Sequence, residues 1–236
     1  MESLSIVLLA YNEEENLKVF IPRLIKNVNT LAVDYEILVI DSANPTDNTA
    51  SVCQQFNARY IPQEESFYGG AFRTGIKYAS KDRILVLDVD GSHQPESIPD
   101  VYKKAINGYD LVIGSRYVKG GKTNDSLLSK LMSLLLNTTF RIALGIKAKD
   151  ISTSFRIYKT AQLKNVTLKC RNFDVLEEVV YLLKIDNKNF KIGEVPIYFD
   201  KRIYGESKRR LLPFIITYLK TLFRLTGMRI KHVFSK

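Results

Sequence analysis

Two aspartates one residue apart, Asp88 and Asp90, close an apolar run over 83–88 and are followed by Gly91. Along an extended chain alternate side chains share a side, so two carboxylates spaced this way can share one hard divalent cation and, through it, a diphosphate. The same pattern also ends many strands as a solvated turn, so the pair has to be weighed with its neighbours. Asp41 ends a second apolar run (YEILVID), where a carboxylate can accept hydrogen bonds from a nucleobase or ribose, or simply hold an Asx turn. Tyr11, Asn12 and Glu13 follow a third run, with Glu13 also suited to a helix N-terminus. Gly69 and Gly70 open a helical stretch in which backbone can approach a ligand and Arg73 can meet a phosphate; close helix packing explains the glycines equally well. Arg116 ends a fourth run, and Arg156, Arg202 and Lys208 follow in the second half. Guanidinium forks clamp phosphates bidentately, although any of these cations also suits a surface charge or a structural ion pair.

The elements that must position these groups follow from hydrophobic pattern. Residues 4–10, 35–41, 83–88 and 110–115 are short, continuous apolar runs ending in a polar or acidic residue, the pattern of buried parallel strands. Helix-period stretches separate them at 14–29, 47–56, 70–80 and 95–107. Alternating strand and helix implies a doubly wound, mostly parallel α/β sheet, whose ligands bind beyond the C-terminal strand ends. All four strand ends carry the candidate groups, so one crevice is expected there. Residues 119–125 (KGGKTND) lack periodicity and read as a mobile loop; 127–144 reads as a helix, then come 150–158, a helix near 174–184 and a strand at 190–199. No G-x-G-x-x-G follows the first strand and no G-x-x-x-x-G-K-[ST] occurs, which argues against a nicotinamide-dinucleotide site and a P-loop.

With 45% hydrophobic and 25% charged residues, the 236-residue chain has enough apolar content for a sizeable core. Two distant cysteines, Cys53 and Cys170, suggest neither a disulfide framework nor a zinc site. The net charge of +10 is unevenly spread: residues 201–236 carry +9 of it. In that tail an apolar surface from Leu211 to Leu225 surrounds a polar stripe of Thr217, Lys220, Arg224 and Lys231, the pattern of a helix lying on an anionic membrane. A helix docked on the domain, or a dimer interface, is the competing reading. Lys220 and Arg224 interrupt the tail short of the roughly 20 apolar residues a spanning helix needs. Without a basic, cleavable leader pattern at Met1, the expected location is cytoplasmic and peripheral to a membrane.

The order of motifs resembles family-2 glycosyltransferases: LLAYNE at 8–13, Asp41 with Asp47 and Thr49, DVDGSH at 88–93, and Gly114-Ser115-Arg116-Tyr117. DISTSFRIY at 150–158 and GEVPI at 193–197 leading to RIYGESK at 202–208 are similar to the dolichol-phosphate mannosyltransferase, or polyprenyl-phosphate, branch. The resemblance implies a GT-A fold over 1–208, with 209–236 as a basic amphipathic appendage. It implies that Tyr11, Glu13 and Asp41 hold the nucleoside of a GDP- or UDP-sugar, and that Asp88 and Asp90 bind the diphosphate through Mg²⁺ or Mn²⁺. Arg116, Arg156, Arg202 and Lys208 would hold the acceptor phosphate and reacting diphosphate. The implied activity is inverting transfer of a hexose to dolichyl or undecaprenyl phosphate. Ser42 and Ala43 depart from the acid and glycine usual in the family, which leaves base and sugar open. Two other functions compete: transfer to a hydroxyl, with Glu177 or Glu178 as base, and a non-enzymatic nucleic-acid or partner-binding module using the basic tail. The acid-lined strand ends have no role in the module, so no nucleic-acid partner is expected.

Overall fold

The computed structural model describes residues 1–185, 187, 189–204 and 211–235. The first half alternates as the pattern demands: β1 (Leu4–Leu9), α1 (Glu14–Asn29), β2 (Tyr35–Asp41), α2 (Thr49–Gln55), β3 (Arg59–Pro62), α3 (Phe67–Tyr78), β4 (Arg83–Asp88), α4 (Ile98–Ile106) and β5 (Leu111–Ser115). The second half runs β6 (Lys122–Thr123), α5 (Leu127–Leu144), β7 (Arg156–Lys159), α6 (Thr160–Lys164), α7 (Val175–Ile185), β8 (Ile192–Pro196), β9 (Tyr198–Phe199) and α8 (Leu211–Phe234).

Seven strands form one sheet in the order β3-β2-β1-β4-β7-β5-β8, all parallel except β7. The register pairs Leu9 with both Ile40 and Asp88, so β1, β2 and β4 end on one line. Alternation along the strands divides the core in two. Leu4, Ile6, Leu8, Leu85 and Leu87 pack with α1 and α4, whereas Val7, Leu9, Ile84 and Val86 face the layer containing α3, α5, α7 and α8.

Three expectations change. The short edge strand β3 has no clear sequence signal. The supposed mobile loop at 119–125 contains β6, which pairs with β9 in a small second sheet. The run 190–199, read as one strand, breaks at Ile197, where the chain leaves β8 and the large sheet to join β6. Pairing partners distant in sequence decide both of the latter.

α5 is capped by Ser126, which accepts the Ser129 N–H, and stops at Gly145, whose left-handed φ of 64° suits glycine. By length and composition α5 is apolar enough to cross a bilayer. Much of its apolar surface faces out: Leu127, Leu128, Leu131 and Ile142 are exposed, while Asn137, Phe140 and Leu144 are buried. α8 docks beside it against α5 and α7, with Tyr218, Thr221 and Leu225 buried and Ile216, Leu219 and Phe223 exposed. The tail stripe therefore turns partly inward. Arg224 meets the buried Glu178 at 2.6 Å, Thr221 donates to Asp174 at 2.6 Å, and Arg229 donates to the carbonyls of Ile142 and Ala143. The described part of 209–236 is thus packed into the domain.

Candidate active site

One side of the crevice is assembled where β1 and β4 end. Glu13, just before α1, accepts from Asn16 Nδ2 at 2.5 Å through Oε2 and pairs with Arg202 Nη1 at 2.9 Å through Oε1. The other Arg202 arm, Nη2, lies 2.9 Å from Asp90 Oδ2. One guanidinium thus bridges two acids that belong to different strand ends. Burial works against its charge, but the Glu13 hydrogen bond and the charges of Asp90, Glu13 and Asp88 outweigh it and raise the pKa.

The segment that carries Arg202 is laid over the aspartate turn by backbone bonds: Asp200 N to Ser92 O and Ile203 N to Asp90 O, both 2.9 Å. Gly91 lets them meet. Its φ is +85°, and a Cβ there would sit 2.5 Å from Ile203. Asp90 Oδ1 accepts from Ser92 N and Oγ, and Asp88 Oδ1 accepts from Tyr68 OH at 3.4 Å.

At the other end of the crevice, Arg116 and Asp150 form a bidentate pair, Nε–Oδ2 at 2.7 Å and Nη2–Oδ1 at 2.8 Å. Nη2 also donates to Ser152 and Ser133, while Nη1 is 3.8 Å from Asp125. Burial alone would raise the Asp150 pKa; the hydrogen bonds and charge of Arg116 hold it below the usual range. Glu194 accepts from the Lys149 and Asp150 N–H groups, which gives the GEVPI motif a physical role. Between these two sides opens a cavity of about 660 Å³. Asp88, His93 and Arg116 line its polar end, and Leu136, Phe140 and Leu222 are among its apolar walls, from α5 and α8. His93 is fully buried, and burial pushes its pKa down.

Several expected ligand contacts lie elsewhere. Arg156 is completely buried and spends its donors on the carbonyls of Thr153, Ile151 and Leu176 and on Tyr158 OH. It is a strut under the 150–154 turn and is not open to a phosphate. Gly69 and Gly70 approach protein backbone and not a ligand: added Cβ atoms would meet Cys170 O at 2.2 Å and Glu65 O at 2.0 Å. Arg73 pairs with Glu65 and donates to Cys170 O, tying α3 to the chain before α7. Asp41 is wholly buried, accepting from Ser42 N and Tyr60 OH, and its burial raises its pKa. It shapes the turn from within. Tyr11 is half exposed at the end of β1. Lys208 lies outside the described residues. The residues that sequence reading missed are Tyr68, which donates to Asp88; Asp150 and Ser152, which accept from Arg116; and Glu194, which holds the backbone at 149–150. Asp150, Ser152 and Glu194 were visible only as members of a motif, and Tyr68 carried no signal.

The site fits a divalent ion. Asp88 and Asp90 offer hard oxygen ligands, and the Arg202 cation already stands on Asp90 Oδ2. Among the described residues no group of three or more acidic, histidine or cysteine side chains is placed to hold a metal ion by itself. Two carboxylates completed by substrate phosphates and water is the usual way to hold Mg²⁺.

The family model for glycosyl transferase family 2 matches residues 5–167. A dolichol-phosphate mannosyltransferase from Pyrococcus furiosus is 35% identical over 94% of this chain and 63% of its own length, so the chain spans less than two thirds of that relative. An undecaprenyl-phosphate mannosyltransferase from Micrococcus luteus is 32% identical over 84% of each chain. A polyprenol monophosphomannose synthase from Mycolicibacterium smegmatis is 30% identical, covering 86% of this chain and 79% of that one. Among solved structures, glucosyl-3-phosphoglycerate synthase from Mycobacterium tuberculosis, crystallised with Mn²⁺, UDP and glucosyl-3-phosphoglycerate, superposes with a TM-score of 0.71 at 20% identity, over 96% of this chain and 80% of that one. That likeness establishes the GT-A fold. Sheet order, strand-end acids and sequence relationship agree: the chain belongs to glycosyltransferase family 2.

Proposed function

We propose that the protein is an inverting, metal-dependent glycosyltransferase that moves a hexose from a GDP- or UDP-sugar to polyprenyl phosphate at a membrane surface. The observation that carries the reading is the cavity itself. Its polar end holds Asp88 and Arg116, and its walls are α5 and α8, whose far sides are exposed and apolar. A phosphate joined to an apolar chain matches that gradient, and the names of the three mannosyltransferase relatives support the same acceptor class, with mannose a leading candidate sugar.

Tyr11 and Glu13 lie where the nucleoside would rest, with Asp41 supporting the turn beside them. Asp88 and Asp90 would hold Mg²⁺ or Mn²⁺, which when bound supplies positive charge to the leaving diphosphate. Arg202, which pairs with Glu13 and Asp90, would stand beside the diphosphate and add positive charge there. Arg116, aimed by Asp150 and lining the cavity, would meet the acceptor phosphate. A phosphate monoester with a second pKa near ~6 is largely dianionic at neutral pH, so no side chain has to remove a proton. The obstacle is bringing two anions together, and the arginines offset that repulsion.

A hydroxyl acceptor would need a base. Glu177 and Glu178 do not line the cavity; both are fully buried, and Glu178 is held by Lys169 N, Cys170 N and Arg224. The basic-tail alternative is weakened because Arg224 and Arg229 are spent on protein contacts. Membrane contact through α5 together with α8 follows from their shared outward apolar surface.

The test is transfer from radiolabelled GDP- and UDP-sugars to short polyprenyl phosphate with Mg²⁺, Mn²⁺ or EDTA. Label in the lipid fraction that EDTA abolishes is expected. Metal-dependent donor hydrolysis without lipid label would move the acceptor to a hydroxyl.

A further inference from the structure

His93 follows the metal-binding aspartates in the DVDGSH motif, yet the reaction outlined above gives it no task. Its ring is closed off from solvent, tilted against Phe155 and edge-on to Phe199, with centroids 5.6 and 5.4 Å away. Nδ1 accepts the backbone N–H of Asp88 at 3.2 Å. That bond requires a bare Nδ1, so the neutral ring carries its proton on Nε2, which faces Thr153 Oγ1 at 3.4 Å. The two nitrogens therefore reach two different parts of the site. Asp88 ends β4 and belongs to the metal-binding turn. Thr153 belongs to the 150–154 turn, whose Asp150 and Ser152 aim Arg116 and whose carbonyls are pinned from below by Arg156. A third tie runs through the backbone bridge between His93 and Phe199, which leads into the segment carrying Arg202.

We propose that His93 is a positioning residue that couples the two halves of the site, its Nδ1 holding the Asp88 main chain for the metal and its Nε2 holding the Thr153 turn for the acceptor phosphate. This rests on the reading that Asp88 and Asp90 hold the donor's metal ion. The imidazole touches neither ligand; it sets where the ligands' partners stand, as outer-shell groups of metal sites do. A ring whose only task was packing would need no polar atom at either end.

The test uses the full chain and separates the two ends. Mn²⁺ affinity in the presence of GDP or UDP is read by electron paramagnetic resonance, without turnover, and the KM for short polyprenyl phosphate is read in the transfer assay. His93→Phe keeps a ring between Phe155 and Phe199 but loses both hydrogen bonds. Its Mn²⁺ affinity is expected to fall on the order of 10- to 100-fold, the range for loss of an outer-shell partner. In His93→Asn an amide oxygen near the Nδ1 position accepts the Asp88 N–H but does not reach Thr153. Mn²⁺ affinity should return toward wild type while the acceptor KM stays raised. Thr153→Val should show the same split, and the double variant should be no worse than either single one. If His93→Phe does not fold, His93→Asn and Thr153→Val carry the test alone. Unchanged acceptor KM in those two, or losses in metal and acceptor binding that simply track melting temperature, would overturn the proposal. The Mn²⁺ readout stands even where no lipid product forms, so failure of the acceptor assignment is distinguishable from failure of His93.

Discussion

α1 and the α5–α8 pair cover opposite faces of the same sheet and differ in what they turn outward, for α5 also buries Phe140 and Leu144 and α8 buries Tyr218 and Leu225. α1 buries Leu17, Phe20, Ile21, Leu24 and Val28 at helical spacing and gives Glu15, Lys18 and Lys26 to water. α5 buries Asn137, which donates to Ser133 O and Ser152 Oγ and accepts from Ile151 N, and exposes Leu127 at 73% and Ile142 at 75%. α8 likewise turns Thr221 and Arg224 inward and leaves Phe223 73% exposed. The contrast is one of environment. α1 faces water, whereas the outer surface of α5 and α8 is apolar; Phe140 and Tyr218 pack between the two helices, and Ser133 of α5 reaches Arg116 at the charged end of the cavity. A contiguous apolar surface of this kind marks an interaction site.

The largest effect that would sharpen this contrast lies on the donor side. Asp90→Asn should lower transfer on the order of a hundredfold or more, because the metal loses one of two carboxylates and Arg202 keeps only Glu13 as an acid partner. Calorimetric titration of Mn²⁺ with nucleotide should show the same loss while vesicle binding is unchanged. On the other side, Leu128→Ser with Phe223→Ser should do the reverse. Each such side chain contributes roughly 1.5–3 kcal/mol when transferred from water, so sedimentation with anionic vesicles should weaken roughly a hundredfold or more. Soluble-donor binding should persist; equal vesicle binding by the double variant would break the comparison.

A smaller effect concerns α7, beneath α8. Glu177 is fully buried with neither carboxyl oxygen hydrogen-bonded, and burial raises its pKa well above the usual range. The folded state keeps a proton that the unfolded chain releases near pH ~4.3. Stability therefore declines as pH rises above that value, by at most about 1.4 kcal/mol per pH unit, until the folded-state pKa is passed. Denaturant titrations of Glu177→Gln between acidic and neutral pH should show a flatter decline and a more stable protein at neutral pH. The smallest expected change is in Arg202→Gln. Removing the cation that stands on Asp90 should tighten Mn²⁺ binding in the absence of nucleotide by about two- to fivefold, the scale of a partly exposed ion pair. Weaker binding would mean that Arg202 assists the empty metal site and does not compete for it.

The buried strands and most helices were legible in the sequence because each is set by local pattern: LSIVLL, YEILVID and RILVLD are buried along nearly their whole length, and 127–144 begins and ends where its Ser126 cap and Gly145 place it. The acids at the strand ends were legible for the same reason, since a parallel sheet gathers those ends on one edge. The roles of the arginines were not. Arg116 follows one strand and Arg156 opens another, yet one enters the cavity wall and the other is sealed beneath it by three carbonyls. Arg224, which the helical pattern assigned to a solvent-facing stripe, pairs instead with a glutamate 46 residues away.

By itself, the sequence determined the α/β order, the line of strand-end acids, the family and the wide apolar surface of the last helix, because these depend on residue type and short-range periodicity. Tertiary structure alone decided which cations remain available to ligands, that Asp41 and Gly70 serve protein backbone, that α5 joins α8 in one outward apolar surface, and that His93 lies between Asp88 and Thr153. The physical reason is that a charged or polar side chain is assigned by the partner that satisfies it, and in a buried site that partner is brought by the fold from far along the chain.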